Sequence, residues 1–462
     1  MIVHAFMVPH PPVALPEIGR GEEKKIQPTL DSFRKVALEI AKIAPDTIVL
    51  STPHTTMYRD YFLISPGTRA RGDFGRYGRP DVSFDIAYDE EFTKKLSALC
   101  RKAGIAAGTD YERAPSLDQG TMVPLYYINQ EYTDYRLVRV GLSGQSLPEH
   151  YKLGERIREV ADELDRRVVY VASGDLSHCQ LASGPYGLKP EGPEYDSRIM
   201  RTMGSGNFGE LLEYDPVFLE KAEECGHRSF VIMAGALDGL SVTPHVLSHE
   251  ATLGVGYGFV SYEIGGPDEN RHFLEKYEKK VKETAGKSSD PYVKLARKSV
   301  EAFVRKRKRY RPLSEEEELP EEIRNGRAGA FVSIHEFGDL RGCIGTILPT
   351  QKSLADEIIS NAISACSRDP RFDPVTEDEL PYLSISVDIL SEPERITDKS
   401  ELDVRRYGVI CSTPDGRRGL LLPDLDGVDT ADQQISIACH KGGIDPHDKD
   451  LILERFEVVR HE

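Results

Sequence analysis

Five short runs rich in β-branched and aromatic residues punctuate the first half of the chain: IVHAFMV, DTIVLS, YRLVRVGLS, RVVYVAS and GVGYGFVSYEI. They are nearly continuous in apolar character, the pattern of strands covered on both faces. Between them lie LDSFRKVALEIAKIA and EHYKLGERIREVADELDRR, with apolar residues at helical spacing. Strands alternating with helices predict an α/β sheet domain, with helices on both sides of the sheet.

The pattern changes after residue 264. GGPDEN is a turn cluster, and LEKYEKKVKETAGKSSD is charged with a weak apolar stripe, so residues 265–287 read as an exposed helix or linker. From 288 to 462 the order becomes helix, acidic loop, strands and helix, including YVKLARKSVEAFVRKRKR, GAFVSIHE, LADEIISNAISACS and YLSISVDIL. That is an α+β pattern of ordinary domain size. A chain of 462 residues is expected to hold two or three domains.

Composition narrows the function classes. A net charge of −17 argues against broad binding to nucleic acid or to an anionic membrane. The basic run Arg305–Arg309 reads as a solvated helix C-terminus, where cations suit the dipole and Glu315–Glu318 offset them. The 7 cysteines form no CxxC pair, so neither a disulfide framework nor a cysteine-rich zinc site is expected. A reducing, cytoplasmic setting fits that usage. The N-terminal MIVHAFMVPHPP lacks the basic flank and cleavage site of a signal peptide. No apolar segment approaches the roughly 20 residues of a membrane helix.

Three histidines share one context. His10 in VPHPP, His54 in STPHTT and His178 in SGDLSH each follow a predicted strand. In an open α/β sheet, ligands bind outside the carboxyl ends of the strands. One such histidine alone is more often an ordinary turn residue, but three can converge on one crevice. Two histidines with one carboxylate form the facial triad of non-haem Fe(II) oxygen chemistry. For the third ligand, EECGHRSF offers Glu224, Cys225 and His227, and SHEAT offers Glu250. Asp175 could orient His178, or could be the turn-former after Gly174.

Together VPHPP, STPHTT, SGDLSH and GVGYGFVSYE resemble the class III extradiol dioxygenases of the LigB type, and more closely their Memo branch, over residues 1 to 264. The resemblance implies a metal held by His10 and His54, with Fe(II) expected first and another divalent metal or copper as alternatives. It implies His178 as the acid/base. Cys225-Gly226 matches a cysteine of the Memo branch and Glu224 adjoins it, so both stand as third ligands. Many relatives carry a histidine where this chain has Gln119, a substrate-pocket position, which departs from ordinary catechol cleavage. The substrate implied is a small molecule of catechol-like or related aromatic type, or a peptide if the domain only binds.

The second part contains LRGCIGT, then SRDPRFDPV, RRGLLLP and ACHKGGI. This series resembles the AMMECR family over residues 288 to 462. Arg341, Cys343, Asp369, Arg371 and Lys441 are its polar candidates. Arg341 could bind a carboxylate or phosphate, and Cys343 could be nucleophilic beside cations. The fusion resembles the AmmeMemoRadiSam system, which implies a radical SAM protein as partner. Three readings follow: an Fe(II)-dependent oxygenase, a non-catalytic metal- or peptide-binding module, and an accessory protein of radical SAM chemistry.

Overall fold

Each of the five apolar runs contributes to one sheet in the computed structural model, which describes residues 1–113, 115–312, 319–425 and 427–462. The chain divides into two units, Met1–Lys279 and Lys280–Glu462. Glu315–Glu318 lie outside the described residues.

In the first unit the strands of the main sheet are β1 (Ile2–Val8), β2 (Thr47–Thr52), β3 (Arg136–Gly141), β4 (Val168–Ser173), β5 (Leu240–Glu250) and β6 (Tyr257–Pro267). Their order is β3–β2–β4–β1–β6–β5. The first four run parallel, β6 is antiparallel to β1, and β5 is antiparallel to β6. The closing run GVGYGFVSYEI therefore returns against the parallel set. Its partner β5, LSVTPHVLSHE, is a half-polar edge strand, so it lacked the apolar run that marks the others.

Side chains of successive strand residues point to opposite faces. Phe6, Val8, Ile48, Leu50, Val169 and Val171 enter one core, beneath helices α1 (Gln27–Ile43) and α2 (Gln119–Glu131). Ala5, Met7, Val49, Val138, Tyr170 and Ala172 enter the other. That core is covered by Glu90–Lys102, α3 (Leu147–Glu163), α4 (Glu191–Ser205) and α5 (His227–Ala236). Residues 265–287 contain the end of β6 and helix α6 (Phe273–Thr284), whose Leu274 is buried in the same core.

The second unit opens with α7 (Pro291–Lys306), capped by Asp290. Its strands are β7 (Gly329–Glu336), β8 (Asp339–Thr346), β9 (Leu383–Leu390), β10 (Glu394–Ile396), β11 (Tyr407–Ser412), β12 (Arg418–Leu421) and β13 (Ile452–His461). They form one antiparallel sheet, β8–β7–β9–β13–β11–β12, with β10 beside β13. Helices α7 and α8 (Leu354–Ser367) pack on its first part, and α9 (Ala431–Lys441) on β11 and β12. The architecture is α+β. The basic run lies at the C-terminal end of α7, where Arg305 pairs with Glu377 at 3.5 Å and Arg309 with Asp356 at 2.9 Å.

Helices α3 and α5 meet backbone to backbone at Gly154 and Gly235. A Cβ on Gly235 would overlap the Tyr151 carbonyl oxygen, and one on Gly154 that of Ile232. Overpacking of this kind costs about 1–3 kcal/mol. Gly235→Ala is expected to lower the melting temperature of the first unit by roughly 2–10 °C. Gly266→Ala, where an added Cβ meets nothing within 4 Å, is the neutral control. Equal melting of the two variants in calorimetry would contradict this packing.

Candidate metal centre

Strands β2, β4 and β1 are parallel neighbours, so the loops leaving their carboxyl ends lie side by side. His10 follows β1, His54 follows β2, and Asp175 and His178 follow β4. The loop before α5 joins them because Gly174 and Gly226 touch: a Cβ on Gly174 would overlap the Gly226 Cα. The Ser51 and Ser229 hydroxyls, 2.6 Å apart, tie the first turn of α5 to β2.

The result is a cluster of donor atoms. His10 Nε2 lies 2.8 Å from His54 Nε2 and 3.7 Å from Cys225 Sγ. All three donors fall within 4.8 Å of one another. Two ligands each about 2.0–2.3 Å from a shared ion stand roughly 3–3.7 Å apart, so the residues present fit a transition-metal ion. Asp175, His178 and Cys225 form a second such group. The Asp175 Oδ1 accepts the His10 backbone N–H at 2.7 Å, and the Asp175 backbone N–H points at Cys225 Sγ at 3.3 Å.

Burial governs the charge of the cluster. It holds His10 well below the ordinary imidazole range, assisted by His54, and lowers His178 as well. It raises Asp175 to about 6 and pushes the Cys225 thiol far up, with Asp175 and Glu224 adding to the rise. Neutral imidazoles beside an un-ionised thiol are what a cation site looks like before the cation's own field acts on it.

Gln119 caps the open side. Its Nε2 is 3.4 Å from His54 Nε2, and its Oε1 accepts the Tyr77 hydroxyl. The exposed ring of Tyr186 stacks on His178, centroids 5.1 Å apart.

The other third-ligand candidates are engaged elsewhere. Glu224 Oε2 accepts the His227 backbone N–H at 2.5 Å, and burial raises this carboxyl to about 7. His227 is fully buried and faces the Leu211 carbonyl at 2.9 Å. Glu250 accepts the Thr29 N–H and hydroxyl, at 3.0 and 2.7 Å.

In the second unit LRGCIGT is β8. The register slips between Ile334 and His335, leaving Arg341 in a bulge. Bulges re-aim side chains, and here Arg341 reaches Glu379 at 2.7 Å and the Asp373 carbonyl at 2.8 Å. Asp369 accepts the Cys343 N–H at 2.9 Å and pairs with Arg371, which holds its carboxyl far below the usual range. The Ser333 hydroxyl donates to Cys343 Sγ at 3.2 Å. Lys441 is exposed in the last turn of α9, outside this set.

Tyr77, which bonds Gln119, Tyr186, which stacks on His178, and Ser173, Asp118 and Arg139, which lie near the cluster, were not legible from the sequence as neighbours of these residues. Ser173 and Asp118 flank residues already singled out, which is a usable signal. Tyr77, Tyr186 and Arg139 come from turns and a strand with no chemical pattern.

A family profile described as "Catalytic LigB subunit of aromatic ring-opening dioxygenase" matches residues 4–260, more than half of the chain. A second, AMMECR1, matches residues 293–461. A protein of Clostridium acetobutylicum is 40% identical over 469 aligned residues, covering 99% of this chain and 98% of that one. A Thermotoga maritima protein is 51% identical over 173 residues, 37% of this chain and 97% of its own. The crystal structure of an uncharacterised Pyrococcus horikoshii protein is 28% identical with a TM-score of 0.34, covering 37% of this chain and 88% of that one. The chain thus belongs to the family of the catalytic LigB subunit of aromatic ring-opening dioxygenases, fused in one polypeptide to an AMMECR1 domain.

Proposed function

We propose that the first unit is a metal-dependent oxidoreductase domain that holds one transition-metal ion through His10, His54 and Cys225 and acts on a small hydroxylated molecule beside His178. The observation that carries this reading is the convergence of three donor atoms from three separate loops within 4.8 Å.

The donor set points to the kind of ion. Two imidazoles and a thiolate suit copper or zinc, whereas the ferrous facial triad needs a carboxylate in third place. Glu224 is occupied by the His227 N–H. Copper or zinc is therefore favoured over Fe(II), and extradiol ring opening by a facial triad is disfavoured. A bound ion would acidify a coordinated hydroxyl and polarise the bond to its oxygen.

The chain's own residues do the rest. His178, kept neutral near pH 7 by burial, can accept a proton from a hydroxyl at its exposed edge and return it. Asp175, whose pKa is about 6, stands beside it and stabilises the imidazolium formed. The Gln119 amide, oriented by Tyr77, supplies a hydrogen-bond donor to a ligand oxygen at the mouth. Tyr186 covers the face of His178 and limits its access to water.

Metal analysis of anaerobically purified protein tests the centre. Wild type and Glu224→Gln should carry one ion per chain, and His10→Ala, His54→Ala and Cys225→Ser should lose it. Loss in Glu224→Gln with retention in Cys225→Ser would sink this ligand set. His178→Ala should keep the ion and lose roughly 10²–10⁴-fold of turnover on a panel of diols followed by O₂ uptake. Tight metal binding with no turnover of any diol by wild type supports the non-catalytic binding reading instead.

A further inference from the structure

Arg139 sits in the middle of β3 with no solvent exposure, a costly place for a charge. It is 3.3 Å from Glu112, donates to Ser65 Oγ and to the Ser116 carbonyl, and lies 3.6 Å from Asp118 Oδ2. Asp118 is the N-cap of α2. Its carboxylate accepts the Thr121 N–H at 3.1 Å, the Thr121 hydroxyl at 3.0 Å and the Thr52 hydroxyl at 2.6 Å.

Two paths lead from this carboxylate to the histidines. Thr52, whose hydroxyl hydrogen is engaged by Asp118, accepts the His54 backbone N–H at 3.3 Å. The turn that Asp118 caps also presents the Gly120 carbonyl, which accepts the Ser173 hydroxyl at 2.6 Å. That hydroxyl has one hydrogen and has used it, so towards His10 Nδ1, 3.0 Å away, it can only accept. His10 then carries its proton on Nδ1, and Nε2 is bare towards His54 and Cys225. Gly120 is needed at this spot, because a Cβ there would overlap Thr52 Oγ1.

We infer that Asp118 and Ser173 are positioning residues of the centre: the buried Arg139–Asp118 pair holds the first turn of α2 so that the Gly120 carbonyl, through Ser173, fixes the tautomer of His10. The inference rests on the reading of His10 and His54 as ligands, and it extends that reading to groups that touch neither ion nor substrate. Outer-shell partners of this kind change metal affinity by roughly 10–100-fold.

The test uses the full chain, metal-free and ¹⁵N-labelled at histidine, with two-bond ¹⁵N–¹H correlation reporting the His10 tautomer. Wild type should show Nδ1–H. Ser173→Ala and Asp118→Asn should lose that preference, and their Zn²⁺ affinity should fall roughly 10–100-fold. Thr47→Val removes a buried hydroxyl–Asp89 bond at the other end of β2 and controls for general destabilisation, so it should leave the tautomer and the affinity unchanged. Nδ1–H persisting in both site variants, or an equal effect of Thr47→Val, overturns the inference. If wild type binds neither Zn²⁺ nor copper but the tautomer responds as stated, the ligand reading fails and the positioning role stands.

Discussion

The contact between Gly174 and Gly226 decides whether a thiol reaches the two histidines at all. Parallel strands β1, β4 and β2 set His10, Asp175 and His54 at one rim, but Cys225 belongs to the loop before a helix on one face of the sheet. Only two residues without side chains let that loop lie on the end of β4. A methyl group on Gly174 would push against the Gly226 backbone and move the Cys225 loop outward, and the cluster would reduce to a pair of histidines. The first turn of α2 obeys the same demand at Gly120. The centre is thus built less by the reactive residues than by the backbone approaches that leave them nowhere else to point.

His10, His54 and His178 were legible because a strand announces where its carboxyl end falls, and that end is where a doubly covered sheet binds ligands. The third donor was not legible. Glu224 and Cys225 are adjacent, and which one turns inward depends on Glu224 meeting the His227 N–H at the start of α5. No local pattern encodes that choice. Arg139 was invisible for another reason: inside YRLVRVGLS it reads as a polar interruption, and its partners Glu112 and Asp118 come from a separate loop. The edge strand β5 escaped notice because half of it faces water.

The second unit shows how reactive-looking motifs can be absorbed by structure. Arg341 and Asp369 were polar candidates; Arg341 is committed to an ion pair with Glu379, and Asp369 pairs with Arg371 and accepts the Cys343 N–H, so residues 369–379 are tied to β8. Cys343 keeps a half-buried thiol whose neighbour is the Ser333 hydroxyl. LRGCIGT, with its two glycines, reads as a polar motif or a tight turn, and the structure makes it a strand instead. The register slip at His335 leaves Arg341 in a bulge, from which it reaches Glu379.

A sulfur atom bound directly to the ion is what separates this centre from a ferrous facial triad. X-ray absorption fine structure of the zinc-loaded full chain measures this directly. One sulfur scatterer at about 2.3 Å and two imidazole nitrogens at about 2.0–2.1 Å are expected. A shell of nitrogen and oxygen alone would contradict ligation by Cys225 and return the third position to a carboxylate.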